Sequence, residues 1–147
     1  MVYPRLNQRT EKTMAQLKHT GPISSVASHG RLVATTGYDN RVILWDAISN
    51  IALAQGRHDH LVNHCEFSHD GQYLVTGSSD YSARIWKLPE MRLHAVLADH
   101  QDDVDMAVFS PNDQLVATCA LDRIVRIYDR SGICLKEMRG HVGNIIS

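Results

Sequence analysis

LVTGSSDYSARIWK, residues 74–87, has two near copies in the chain: LVATTGYDNRVILWD at 32–46 and LVATCALDRIVRIYD at 115–129. The three align without gaps over their shared length. An aspartate falls at 39, 80 and 122, and an aromatic follows six positions later each time, as Trp45, Trp86 and Tyr128. A period of 41 and 42 residues is the mark of an array of like supersecondary units, each burying against its neighbours the faces it cannot bury alone.

The same period extends outward from the quoted stretch. His19, His58, His100 and His141 recur at intervals of 39, 42 and 41 residues, and the first three stand 20, 22 and 22 residues ahead of their aspartates. The deficit of two in the first unit lies where SHG (28–30) replaces FSHDG (67–71) and FSPND (109–113). That is a hairpin-turn position, where length changes are tolerated.

Each unit reads as short strands parted by Gly, Asp, Asn, Ser and Pro. VNHCEF (62–67) and DMAVF (105–109) are a first strand, QYLVTG (72–77) and QLVATCA (114–120) a second, and SARIWK (82–87) and IVRIYD (124–129) a third. A more polar fourth follows in IALAQ (51–55), RLHAVLA (92–98) and ICLKEM (133–138). The second strand is nearly continuously apolar, as a strand covered on both faces should be; the fourth has the composition of an outer strand. Four antiparallel strands every 40 or so residues make one blade of a β-propeller.

The chain resembles the WD-repeat β-propeller family from about Thr13 to Ser147. Gly140-His141 matches the family's glycine-histidine and Trp45-Asp46 its tryptophan-aspartate. Departures occur: Lys18, Arg57 and Asp99 precede the other histidines, Lys87 follows Trp86, and Tyr128 stands in for tryptophan. The expected fold is all-β, an incomplete propeller of four-stranded antiparallel blades. Its expected divisions are a partial preceding blade (1–18), three full blades (19–57, 58–99 and 100–140) and the first strand of a further blade (141–147).

In that family a histidine, a strand-two Ser or Thr, the turn aspartate and the strand-three tryptophan form a hydrogen-bonded chain within each blade. By position, the resemblance implies His19, Thr35, Asp39 and Trp45; His58, Thr76, Asp80 and Trp86; and His100, Thr118, Asp122 and Tyr128. Each link is chemically consistent, because a carboxylate accepts, an imidazole can do either, a hydroxyl accepts, and an indole N–H only donates.

The rival reading is a hydrolase triad, which uses the same three groups. An active site is needed once, whereas this set occurs three times with an aromatic that catalysis does not require. No G-x-S-x-G or comparable oxyanion-hole motif accompanies it. No catalytic residue is therefore expected. The dense histidines of RHDHLVNHCEFSHD (57–70), namely His58, His60, His64 and His69, would be spread over a loop, a strand and the opposite turn, so no metal is expected either. With no phosphate loop or metal helix, no cofactor is expected.

The remaining functional surface is the face where the histidine-bearing loops meet the turns before the aspartates. The resemblance implies partner docking there, at Pro22, Ser24 and Tyr38 in the first unit, Leu61, Asn63 and Ser79 in the second, and Asp103, Asp105 and Leu121 in the third. ADHQDDVD (98–105) places Asp99, Asp102, Asp103 and Asp105 together, an acidic rim that would steer a basic partner segment.

Composition sets the limits. A chain of 147 residues fits one domain, able to bury about 70% of the surface of its unfolded chain. With 44% hydrophobic and 21% charged residues, it has the balance of an ordinary globular protein. Fifteen basic against sixteen acidic residues leave a formal charge of −1, so neither nucleic acid nor an anionic membrane is an expected partner. Cys65, Cys119 and Cys134 are scattered and never spaced C-x-x-C, as small buried residues in a reducing compartment would be. With no signal-peptide core and no window of about 20 apolar residues, a cytosolic location is expected.

Before the three units come a fourth-strand-like piece, TMAQL (13–17), and a third-strand-like piece, VYPRL (2–6); after them comes an opening strand, GNIIS (143–147). A segment of a longer chain, an arc completed by a second copy or another subunit, and a stable open arc all accommodate this. The expected function is a non-enzymatic scaffold for protein or peptide binding within a larger protein. The alternative is a sensor or autoinhibitory module of an enzyme whose catalytic domain lies outside these residues.

Overall fold

The computed structural model describes residues 17–146. Apart from Leu17, the sequence-read strands TMAQL and VYPRL lie outside the described residues, as does Ser147.

The described chain forms twelve strands. The first sheet holds β1 (Ile23–His29), β2 (Leu32–Gly37), β3 (Arg41–Asp46) and β4 (Ile51–Arg57). The second holds β5 (Val62–Phe67), β6 (Tyr73–Ser78), β7 (Ala83–Lys87) and β8 (Arg92–Leu97), and the third β9 (Val104–Phe109), β10 (Leu115–Ala120), β11 (Val125–Asp129) and β12 (Cys134–Met138). Every sheet is an antiparallel meander in chain order. The three stand side by side through their first strands, β1 on β5 and β5 on β9. They do not close on themselves, so the structure is a partial propeller of three blades.

Burial follows the strand composition. β6 is buried along nearly its whole length, whereas β8 alternates only toward its end and β12 is largely exposed. Two apolar cores fill the seams. Leu32, Ala34, Val42 and Leu44 of the first blade meet Val62, Cys65, Phe67, Leu74 and Trp86 of the second. Val75, Ala83, Ile85 and Leu97 of the second meet Val104, Ala107, Phe109, Val116 and Tyr128 of the third.

The turn between the second and third strands is the same in all three blades. The residue after the aspartate takes a left-handed conformation each time: Asn40 (φ 67°), Tyr81 (φ 68°) and Arg123 (φ 67°). Only the first is of a type that favours it.

GNIIS departs from its expectation, because residues 143–146 form no strand. Among the described residues this stretch pairs with no strand, and Ile145 lines a cavity of about 190 Å³ with Met106, Val108, Ala117 and Cys119 of the third blade.

Candidate functional site

The four side-chain types picked out by the repeat come together in each blade. In the second, Asp80 Oδ2 lies 2.8 Å from His58 Nδ1, His58 Nε2 lies 2.8 Å from Thr76 Oγ1, and the Trp86 Nε1–H donates to Thr76 Oγ1 at 2.9 Å. The roles follow from the ends inward. The indole can only donate, so Thr76 accepts there. The carboxylate can only accept, so Nδ1 carries a proton, and burial, which lowers the His58 pKa, favours the neutral imidazole whose bare Nε2 takes the Thr76 hydroxyl proton. The first blade repeats the geometry, with His19 2.9 Å from both Asp39 Oδ1 and Thr35 Oγ1, and Trp45 2.8 Å from Thr35.

In the third blade His100 lies 2.8 Å from Asp122 and 2.6 Å from Thr118. Tyr128 does not complete the chain: its buried hydroxyl makes no hydrogen bond to Thr118. Burial and the nearby Asp99 charge push that phenol's pKa up.

The environment sets the charge states. Burial pulls His58 and His100 below the ordinary histidine range, against the upward pull of Asp80 and Asp122. Burial alone would raise the aspartates, but hydrogen bonds outweigh it. Asp80 is held well below the usual carboxylate range by His58, Ser82 and the Asp59 amide. Asp39 is lowered by the Thr20 amide, His19 and the Arg41 amide. Asp122 is brought down to about 2 by Arg126, His100 and the Gln101 and Ile124 amides.

An arginine beside each aspartate escaped the sequence reading. Arg41, Arg84 and Arg126 approach Asp39, Asp80 and Asp122 to 3.9, 3.4 and 2.8 Å. Arg41 and Arg84 also donate to the carbonyl just before the histidine, Lys18 at 2.8 Å and Arg57 at 2.7 Å. Buried Arg126 reaches Glu137 instead, at 2.9 Å. The signal was available, since Arg84 and Arg126 both stand four residues after their aspartates.

The rim positions are built by a second device. A bulge near the start of each first strand falls on Ser24, Asn63 and Asp105, the residues left without a cross-strand partner. A bulge re-aims the side chain it carries. Beside them, the amides of Tyr38, Ser79 and Leu121 donate to the carbonyls of Pro22, Leu61 and Asp103 at 2.9, 3.0 and 2.9 Å.

All nine positions were expected to be exposed, but only Pro22 and Tyr38 are; Ser24, Leu61, Asn63, Ser79, Asp103, Asp105 and Leu121 are half-buried. The cause is bonding across the seams. Ser24 Oγ donates to the Val62 carbonyl, Asn63 Nδ2 donates to the Val104 carbonyl (3.1 Å), and Ser79 Oγ donates to Asp103 at 2.7 Å; within the second blade Asn63 Nδ2 also donates to Ser79 Oγ (3.2 Å). Asp105 is pushed up by burial and then by the charges of Asp103 and Asp102.

The dense histidines lie apart. His58 is in the second blade's hydrogen-bonded set, His64 is on β5, and His69 pairs with Asp113 of the third blade at 2.8 Å. Among the described residues no three His, Cys, Asp or Glu side chains are grouped to hold a metal ion.

Comparison with known proteins adds the family. The model described as "WD domain, G-beta repeat" matches residues 11–46, 53–87 and 91–129. The U3 small nucleolar RNA-associated protein 15 homolog of Xenopus laevis is 28% identical over 130 residues, 87% of this chain and 25% of that protein. Transcription initiation factor TFIID subunit 5 of Caenorhabditis elegans is 30% identical over 132 residues, 88% of this chain and 20% of its own length. The U4/U6 small nuclear ribonucleoprotein PRP4-like protein of Arabidopsis thaliana is 35% identical over 77 residues, 52% of this chain and 14% of its own. The chain thus spans about a quarter or less of these relatives.

Their names overturn the cytosolic expectation, since they are those of small nucleolar, transcription-initiation and small nuclear assemblies, which point to the nucleus. Cytosol and nucleus share one reducing aqueous environment, so cysteine usage and the lack of an apolar leader do not tell them apart.

Proposed function

This chain belongs to the WD-repeat family, and on that footing we propose that it is a non-enzymatic protein-interaction scaffold whose rim binds a basic protein or peptide segment in a nuclear multi-protein assembly. The observation that carries this reading is a division of labour between adjacent residues. His58, Thr76 and Asp80 spend their hydrogen-bonding groups on one another, which suits an internal brace and leaves no free nucleophile. Beside them the rim leaves Pro22 and Tyr38 exposed and gathers the carboxylates of Asp102, Asp103 and Asp105 on the third blade.

The acidic rim supports a basic partner. Asp102, Asp103 and Asp105 are close enough to raise the pKa of Asp105, and a cation docking among them would relieve that repulsion. Association of this kind is steered by charge and weakened by salt. Placement in the nucleus rests on the likeness to the relatives named above.

The test is affinity capture from nuclear extract with the full-length protein that contains this segment, wild type against a Tyr38→Ala/Asp105→Asn double variant. The expected result is a partner set lost both in the variant and at raised salt, with melting unchanged. Retention of the same proteins by the variant overturns the assignment to this rim.

A further inference from the structure

The second blade breaks the repeat at four positions that meet in space. On the second strand Tyr73 stands where the other blades have Leu32 and Leu115, and its register partner Lys87 stands where they have Asp46 and Asp129. Opposite Lys87 is Arg92, where the first blade pairs Asp46 with Ile51 and the third bonds Asp129 to Ile133. The fourth is His94, the bulged residue of β8; the bulged residues of the other outer strands are Leu53 and Leu135. An aspartate, an isoleucine and a leucine have each been replaced by a cationic or ionisable group, Lys87, Arg92 and His94, and the three line one pocket.

The rim they form is open. Lys87, Arg92, Leu93 and His94 line a cavity of about 250 Å³. The His94 ring stands edge-on to Tyr73 at 5.1 Å, and from the third blade the Arg130 guanidinium lies 4.8 Å from the centre of the same ring. Lys87, Arg92 and His94 are exposed. Among the described residues neither Lys87 nor Arg130 is in an ion pair, and Arg92 meets only exposed Glu90, at 3.9 Å. Elsewhere the chain pairs its arginines closely, Arg84 and Arg126 each with an aspartate. Lys87 and Arg92, two permanent cations on one pocket, repel one another, and an anion removes that cost.

We propose that this pocket takes the phosphoryl group of a phosphoserine- or phosphothreonine-bearing peptide. A phosphoryl group carries roughly −1.5 to −2 charge and three strong acceptor oxygens, which matches the guanidinium fork of Arg92, the ammonium of Lys87 and the imidazole of His94 that line the pocket better than a carboxylate does. A peptide fits better than RNA for two reasons. β8 is an edge strand, paired only with β7, so a partner's main chain has a free side to pair with. The pocket's cations are also confined to one edge of the second blade in a chain of net charge −1, and among the described residues they do not extend into a basic track for successive phosphates.

The pocket is separate from the bulge-built rim of the preceding section and does not rest on it. The test is fluorescence anisotropy on the full chain with a degenerate peptide pool fixed on a central phosphoserine, the same pool with serine, and a ten-nucleotide polyuridine. The phosphoserine pool is expected to bind, and Lys87→Asp and Arg92→Gln are each expected to weaken it at least tenfold without changing melting. Aspartate is the residue the other blades carry at the Lys87 position, so Lys87→Asp should fold. Tyr38→Ala/Asp105→Asn should leave this binding intact, which separates failure here from failure of the rim assignment. No binding of the phosphoserine pool, equal binding of the serine pool, indifference to both substitutions, or tighter binding of polyuridine overturns the proposal.

Discussion

Gly56 lies against the six-membered ring of Trp86 across the first seam: a Cβ at position 56 would come within 2.9 Å of Cη2 and Cζ3. The indole has little room to yield, because its Nε1 is tied to Thr76 at 2.9 Å. Gly56→Ala is therefore expected to destabilise by about 1–3 kcal/mol, the usual cost of overpacking a filled core. Urea unfolding midpoints check this, with Gly143→Ala, which meets nothing within 4 Å, as the silent control.

The hydrogen-bonded set should respond unequally at its two ends. Trp86→Phe removes one donor to Thr76, at about 1 kcal/mol, and adds the cost of the space its six-membered ring leaves beside Gly56. Asp80→Ala strips the acceptor from His58 Nδ1 and from the amides of Asp59 and Ser82, with about 1–3 kcal/mol for each group left buried and unpaired. Thermal melting that is the same for both variants and wild type would sink the brace reading.

Acid should weaken the fold in two stages. His58 and His100 have folded pKa values below the unfolded one, so the unfolded chain takes up the proton first. Their contribution is complete above a pH of about 6.5 and declines below it. Asp39, Asp80 and Asp122 are lowered too, Asp122 to about 2, and their contribution is lost as pH falls below about 4. Urea midpoints measured from pH 8 to pH 3 should drop in both windows; a flat profile from pH 7 to pH 5 contradicts the histidine assignment.

Tyr81 and Arg123 occupy left-handed turn positions, with φ of 68° and 67°, that favour asparagine or glycine. Tyr81 is 48% exposed, so little packing is lost when it is replaced. Tyr81→Asn, which copies Asn40 of the first blade, is expected to stabilise by about 0.5–1 kcal/mol. A lower melting temperature for Tyr81→Asn would contradict this.

The blades were legible because their signals are periodic. A 41- or 42-residue spacing places Asp39, Asp80 and Asp122 on equivalent turns whatever else varies, and the strands follow the apolar runs closely. The bulges were not legible. Ser24, Asn63 and Asp105 share a position but no chemistry, because the backbone creates the site and three residue types accept it. The bonds across the seams, Asn63 to Val104 and His69 to Asp113, join residues 41 and 44 apart, and nothing local in either partner announces the other. Lys87 could be seen as a departure, but its convergence with Tyr73, Arg92 and His94 needed the strand register.

No strand of one sheet pairs with a strand of another, so sheet ladders belong to single blades while the apolar cores belong to pairs of blades. Local order and global cohesion therefore rest on different bonds, and neighbouring blades communicate through side chains at their shared boundary. Among the described residues the middle blade has such a boundary on both sides and its neighbours have one each. Its amides should be the slowest to exchange with solvent, and opening should proceed inward from the flanks.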